Sequence, residues 1–259
     1  MFAFIFFIMM KFGTNISETT LVILTLIMYL IVLAMLIFTF KPTILGIKVL
    51  VRDMINKVDI KEIIYIILFK LLVTVGGGRT LIDLIYLINE NFINSVMYDM
   101  MIEINEPIQY VISIFIVCML YPIIEELIFR SIVFKRLSKR FNVHIGIIIS
   151  SIVYAAVNVG NGIAGAFIFG ITNCIMYLKY KNIFIPILVN FLYNLLLGIT
   201  ILPVFWGNVN DSLLNPKNIA ISLFIGCLIC IIGMVLFIKF FTKNKKYIDE
   251  YNVKLKKTI

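Results

Sequence analysis

Tyr121-Pro122-Ile123-Ile124-Glu125-Glu126-Leu127-Ile128-Phe129-Arg130 places two adjacent glutamates inside an apolar run. Carboxylates are costly in hydrocarbon, so intramembrane ones face a bundle interior or a wet cavity and mark a site. On a helix Glu126 and Arg130 are four apart and share a face, with Glu125 and Phe129 on the neighbouring one. Arg130 can neutralise one carboxylate, which leaves the other free as a base, a ligand or a proton site. A surplus buried negative charge is not something packing alone favours. Pro122, one turn earlier, frees backbone carbonyls and can let water in.

The surrounding chain makes this a membrane question. Of 259 residues, 62% are hydrophobic and 14% charged, and the mean hydropathy is +1.07. Soluble domains are nearer half apolar and a quarter charged. The composition therefore predicts an all-α, polytopic membrane helix bundle of seven to eight transmembrane helices in a lipid bilayer. A net charge of +9 could suggest nucleic acid, but the lysines and arginines cluster in short loops and the tail, as topology signals do. Cys118, Cys174, Cys227 and Cys230 lie in apolar segments and read as small core residues, without a disulfide framework or zinc knuckle. The apolar first ten residues lack a basic flank and a small-residue cleavage site, so they do not read as a secretory signal.

A helix needs about 20 apolar residues to cross a bilayer. The spans predicted are 20–40, 62–78, 107–134, 143–159, 162–178, 183–203 and 218–241, with 2–10 as a partial eighth. Every second loop is basic: Lys41 to Lys61, Lys135 to Arg140, Lys179 to Lys181, and the tail from Lys243. This alternation predicts a multi-pass bacterial plasma-membrane protein with a cytoplasmic C-terminus; the Ile-, Asn- and Lys-rich composition suggests an AT-rich bacterial genome. Residues 81–101 read as an interfacial amphipathic helix, and Gly76-Gly77-Gly78 as a helix stop. The organisation divides into 1–106, with N-terminal helices and the amphipathic segment; 107–203, the core with the motifs; and 204–259, with the last span and a basic tail.

Further polar residues sit in later spans: Asn158, after Ser150-Ser151 and Tyr154, and Asn190 and Asn194, which share a helix face. Interhelical hydrogen bonding is the ordinary role of membrane asparagines. The single histidine, His144, begins the fourth span beside Lys139 and Arg140 and reads as solvated and interfacial. A count at about 1.5 Å per residue puts Asn158 roughly 8 Å deeper than Glu126.

Together these segments resemble the CAAX prenyl protease and bacteriocin-processing family of intramembrane proteases, called CPBP or Abi. That family carries EExxxR, then FxxxH, then HxxxN on successive membrane helices. Glu125, Glu126 and Arg130 match the first motif; Tyr154 and Asn158 stand at the second, and Asn190 and Asn194 at the third. The resemblance covers about residues 108–197. It implies a site in which a glutamate and histidines activate water, with or without a metal, while the second histidine and the asparagine stabilise an oxyanion. The candidate catalytic residues are thus Glu125, Glu126, Arg130, Asn158, Asn190 and Asn194.

Both family histidines are asparagine here. An amide cannot act as general acid or base near neutral pH and is a poor zinc ligand, though it can still donate to an oxyanion. The leading expectation is a CAAX-protease-like membrane protein with a degenerate site, without a cofactor, whose partner is a peptide or membrane protein, as in bacteriocin immunity or scaffolding. The alternative is an active glutamate-dependent endopeptidase, the only case in which a divalent metal such as zinc enters. A third reading, a small transporter with a carboxylate relay, is disfavoured by the lack of an internal repeat.

Overall fold

The computed structural model describes residues 17–89, 106–158, 163–206 and 216–256. Among these, eight helices and no strand are present: α1 (Glu18–Phe40), α2 (Ile44–Lys57), α3 (Ile60–Ile88), α4 (Pro107–Arg140), α5 (Val143–Val157), α6 (Ile163–Tyr180), α7 (Phe184–Trp206) and α8 (Pro216–Lys256). The starts follow local chemistry. Ser17, Thr43, Asp59 and Asn142 each accept a hydrogen bond from a first-turn amide of the helix they precede, which satisfies a donor with no intrahelical partner.

The protein is an all-α membrane helix bundle, and helices overlie all seven predicted spans. Those at Thr19–Phe40, Pro107–Arg140, Ile163–Tyr180 and Ile219–Leu255 are long and apolar enough to cross a membrane, and shorter apolar helices lie at Val143–Val157 and Phe184–Gly198. The main core cluster joins Ile66 and Phe69 of α3, Phe134 of α4, Phe169 and Ile175 of α6, Val189 of α7 and Phe240 of α8. At one end, Glu62 of α3 accepts from Lys179 and Tyr180 of α6, both at 2.6 Å, and from Asn244 of α8 at 3.5 Å. Charge-assisted bonds of this length are among the strong ones, and they tie the start of α3 to the end of α6 and to α8. The basic loop before α3, that after α6, and the tail therefore share one end of the bundle.

Several sequence expectations change. Gly76-Gly77-Gly78 does not end a helix; α3 runs through it to Ile88. The glycines form a notch for α8. A Cβ at Gly76 would lie 2.5 Å from the backbone nitrogen of Cys230 and 2.8 Å from the carbonyl oxygen of Gly226, whereas one at Gly78 would meet nothing within 4 Å. Glycine in this helix thus serves close backbone approach, as small residues do between membrane helices. The expected amphipathic helix over 81–101 begins as the last turns of α3; residues 90–105, like the partial span at 2–10, lie outside the described residues.

The basic loop after the first span contains α2. No residue of this helix is fully buried; its Asp53 is paired to Lys57 at 2.6 Å, and the hydrogen bond from Lys57 holds the Asp53 carboxyl below its usual value. The tail is likewise helical, as the continuation of α8 to Lys256. There Asp249 faces His144 at 3.8 Å, both half exposed, so His144 is a solvated histidine at the α5 start, as expected.

The notch gives a direct test. Gly76→Ala should destabilise the protein by about 1–3 kcal/mol, the usual cost of forcing an extra methyl into a filled contact. Gly78→Ala should be neutral or gain up to about 1 kcal/mol from helix propensity. Apparent melting temperatures in detergent check both; equal effects at the two positions would contradict the notch.

Candidate functional site

The site begins with a distortion of α4. Residues Ile116–Leu120 and Leu127–Phe134 are π-helical, flanking the regular segment Tyr121–Glu126. In the first distortion the amide of Tyr121 donates to the carbonyl of Ile116, five residues back. The next bond in that register would run from residue 122 to Val117, but Pro122 has no N–H to give. The Val117 carbonyl is taken instead by Asn194 Nδ2 of α7, at 2.9 Å. The carbonyl that Pro122 frees thus receives a side-chain amide rather than water. Widened turns of this kind frequently mark functional positions.

One turn further, the two glutamates face different partners. Glu125 Oε1 accepts from Asn158 Nδ2 at 2.7 Å; its Oε2 accepts from Asn190 Nδ2 at 2.9 Å and from the Tyr154 hydroxyl at 3.1 Å. The Asn158 carbonyl oxygen in turn accepts from the Tyr121 hydroxyl at 2.8 Å. Glu126 Oε1 accepts from Asn173 Nδ2 at 2.7 Å, and its Oε2 lies 3.0 Å from Arg130 Nε. Both carboxylates and Arg130 are buried. The Arg130 contact lies off the hydrogen-bond axis, and its guanidinium nitrogens have no hydrogen-bond partner among the described residues. Charge attraction to Glu126 and the face of Tyr154, 5.0 Å away, hold it.

Glu125, Glu126, Arg130, Asn158 and Asn190 therefore converge on one buried cluster. Asn194 shares their helix face but bonds the α4 backbone, and His144 stays at the bundle end. The helix hairpin explains the convergence. Helix α4 continues to Arg140, past the expected end at 134, and α5 starts at Val143. Glu126 and Asn158 then stand 14 and 15 residues from those two ends, so they meet at one depth. The expected offset of about 8 Å came from placing the α4 end too early.

Tyr154, read in the sequence as the aromatic position of the second motif, proves to donate to Glu125 as well. Two participants are absent from the sequence reading. Asn173 lies beside Thr172 in an apolar helix, where a polar pair is a signal. The other is Lys70, ten residues into α3 and 5% exposed. Its Nζ lies 3.0 Å from the ring centre of Phe169 and 3.3 Å from that of Tyr193. Lys70 is thus a second basic side chain buried in the bundle with Arg130.

The donor set does not fit a zinc ion. Among the described residues Glu125 is the carboxylate that bonds Asn158 and Asn190, and three donors already engage its two oxygens. The amide groups turned toward it are N–H donors, which repel a cation, and Lys70 and Arg130 add positive charge. Zinc sites use thiolate, imidazole and carboxylate ligands; among the described residues no group of three such side chains forms.

The proline register makes a prediction. Asn194→Ala should leave the Val117 carbonyl without a partner and destabilise the protein by about 1–3 kcal/mol. In a Pro122→Ala background residue 122 regains its N–H, so the same substitution should cost much less. A thermal-unfolding double-mutant cycle in detergent reads the difference, and simple additivity would contradict the assignment.

The model of the type II CAAX prenyl endopeptidase Rce1-like family matches residues 107–196, the segment from α4 into α7. No curated protein and no solved structure matches the chain. With the glutamate pair, Arg130 and the asparagines on its helices, the segment 107–196 is thus similar to the type II CAAX prenyl endopeptidase Rce1-like family.

Proposed function

We propose that this is a CAAX-protease-like membrane protein that holds a peptide or membrane-protein partner without cleaving it, in immunity to peptide bacteriocins or as a membrane scaffold. The observation that carries the reading is the capture of Glu125 by Asn158 and Asn190. These stand at the positions where the family pattern has histidine. A general base must reach the proton it removes, directly or through one water, with a lone pair to spare. Two amides and a phenol take three of the about four acceptor positions of the Glu125 carboxyl, and neither amide can relay a proton as imidazole does.

The same groups have a coherent non-hydrolytic role. Hydrogen bonds from α5 and α7 to one carboxylate of α4 fix three helices against each other. Such a frame presents the membrane face of the family fold to a partner in a defined shape. The cytoplasmic orientation of the C-terminus and the bacterial plasma membrane belong to this reading and rest on the charge alternation of the loops.

Cleavage is the test. Purified protein and its Glu125→Ala/Glu126→Ala variant, each incubated with prenylated and leader-type peptides, should give identical product spectra by mass spectrometry. Products that depend on the glutamates would overturn the reading and establish a protease that works without histidine. Asn158→His/Asn190→His should be the variant that gains cleavage, since it restores the family pattern.

A further inference from the structure

Lys70 lies outside the segment that matches the family, yet its side chain ends inside the site. Membrane lysines near helix ends extend their ammonium to the interface. Lys70 is ten residues into α3, about 15 Å along it, and is turned inward between two rings instead. Phe169 of α6 and Tyr193 of α7 are stacked at 6.0 Å with 30° between their planes. Both present their ring faces to the ammonium, at 3.0 and 3.3 Å. Ring faces carry negative potential and attract cations within about 6 Å, most strongly where water is excluded. Arg130 lies against Glu126, so Glu125 is the one of the two glutamates that no cation among the described residues contacts.

We propose that the space between the ring faces of Phe169 and Tyr193 is a primary-ammonium site, filled by the chain's own Lys70. The ligand class follows from the walls. A compact ammonium fits over two ring faces at about 3 Å, and a four-carbon stem reaches it from α3. In this arrangement Lys70 is a positioning residue. It clamps α3 onto α6 and α7, and it matches the charge of the carboxylate that Asn158 and Asn190 hold. The inference is independent of whether the site cuts peptides, because it concerns what keeps the glutamates in place.

Two experiments on the full chain in detergent test it. In the first, Lys70→Met keeps the bulk of the side chain and removes its charge. It should lower the apparent melting temperature by about 10 °C, the scale expected for a stranded buried charge. Adding Glu125→Gln should recover at least half of that loss, because it removes the stranded partner. A merely packing role for Lys70 would make the two losses add, and additive losses, or a double variant that folds no better than the single, would overturn the proposal. In the second, Lys70→Ala empties the site. Propylammonium chloride should raise its melting temperature in a saturable way, as any ligand of the folded state does, and should leave the wild type unchanged. Equal effects from tetramethylammonium chloride, which is too bulky and lacks N–H donors, would also overturn it. Should Lys70→Ala not fold, the charge cycle with Lys70→Met decides alone.

Discussion

The fold depends on the burial of two adjacent carboxylates in a medium that does not solvate them. Removing an ion from water costs several kcal/mol even after relaxation, and here two sit on consecutive residues, Glu125 and Glu126. The structure answers with one cation and four neutral donors: Arg130 of α4 itself, Tyr154 and Asn158 from the end of α5, Asn173 from α6, and Asn190 from α7. Each partner must be in place for the carboxylates to be tolerated at all. The arrangement of the central helices is therefore set by charge as much as by the apolar core that surrounds it.

That constraint accounts for the irregular shape of α4. A regular α-helix through 116–134 would place its side chains on a strict 3.6-residue period, while each π turn inserts about one extra residue per turn. Two such turns on either side of Tyr121–Glu126 rotate that segment relative to the flanks. Pro122 fixes where the backbone is left open, and Asn194 closes it. The result is a rigid segment, with its orphan carbonyl satisfied, that carries both glutamates inward.

Much of this was legible in the sequence, and the limits have physical causes. The glutamate pair, the Glu126 and Arg130 spacing, and the asparagines of α5 and α7 follow from local periodicity and from a recurring motif order, so their convergence could be anticipated. Lys70 could not, because it lies in a different span, more than 50 residues away in sequence, and only tertiary packing brings it near. Gly76-Gly77-Gly78 misled because glycine weakens an isolated helix, whereas next to α8 the missing Cβ is what permits contact. The depth of Asn158 was misjudged for a simpler reason. Basic residues at 135–140 mark a membrane boundary but do not end a helix, and the true hairpin turn lies at Phe141-Asn142.

The carboxamides at 158 and 190 limit what these two positions can offer chemically. An imidazole beside a carboxylate can hold a proton or release it, and it can ligate a metal through a lone pair. A carboxamide donates through Nδ2 and accepts through Oδ1 with no such choice. Asn158 uses both groups at once, giving to Glu125 and receiving from Tyr121. Bonds of this kind in a low-dielectric interior stiffen the members they join, whereas Arg130 and the Asn173 carbonyl oxygen of the same cluster have no hydrogen-bond partner among the described residues. In this chain the amides of Asn158 and Asn190 both give to Glu125 and so tie α5 and α7 to α4.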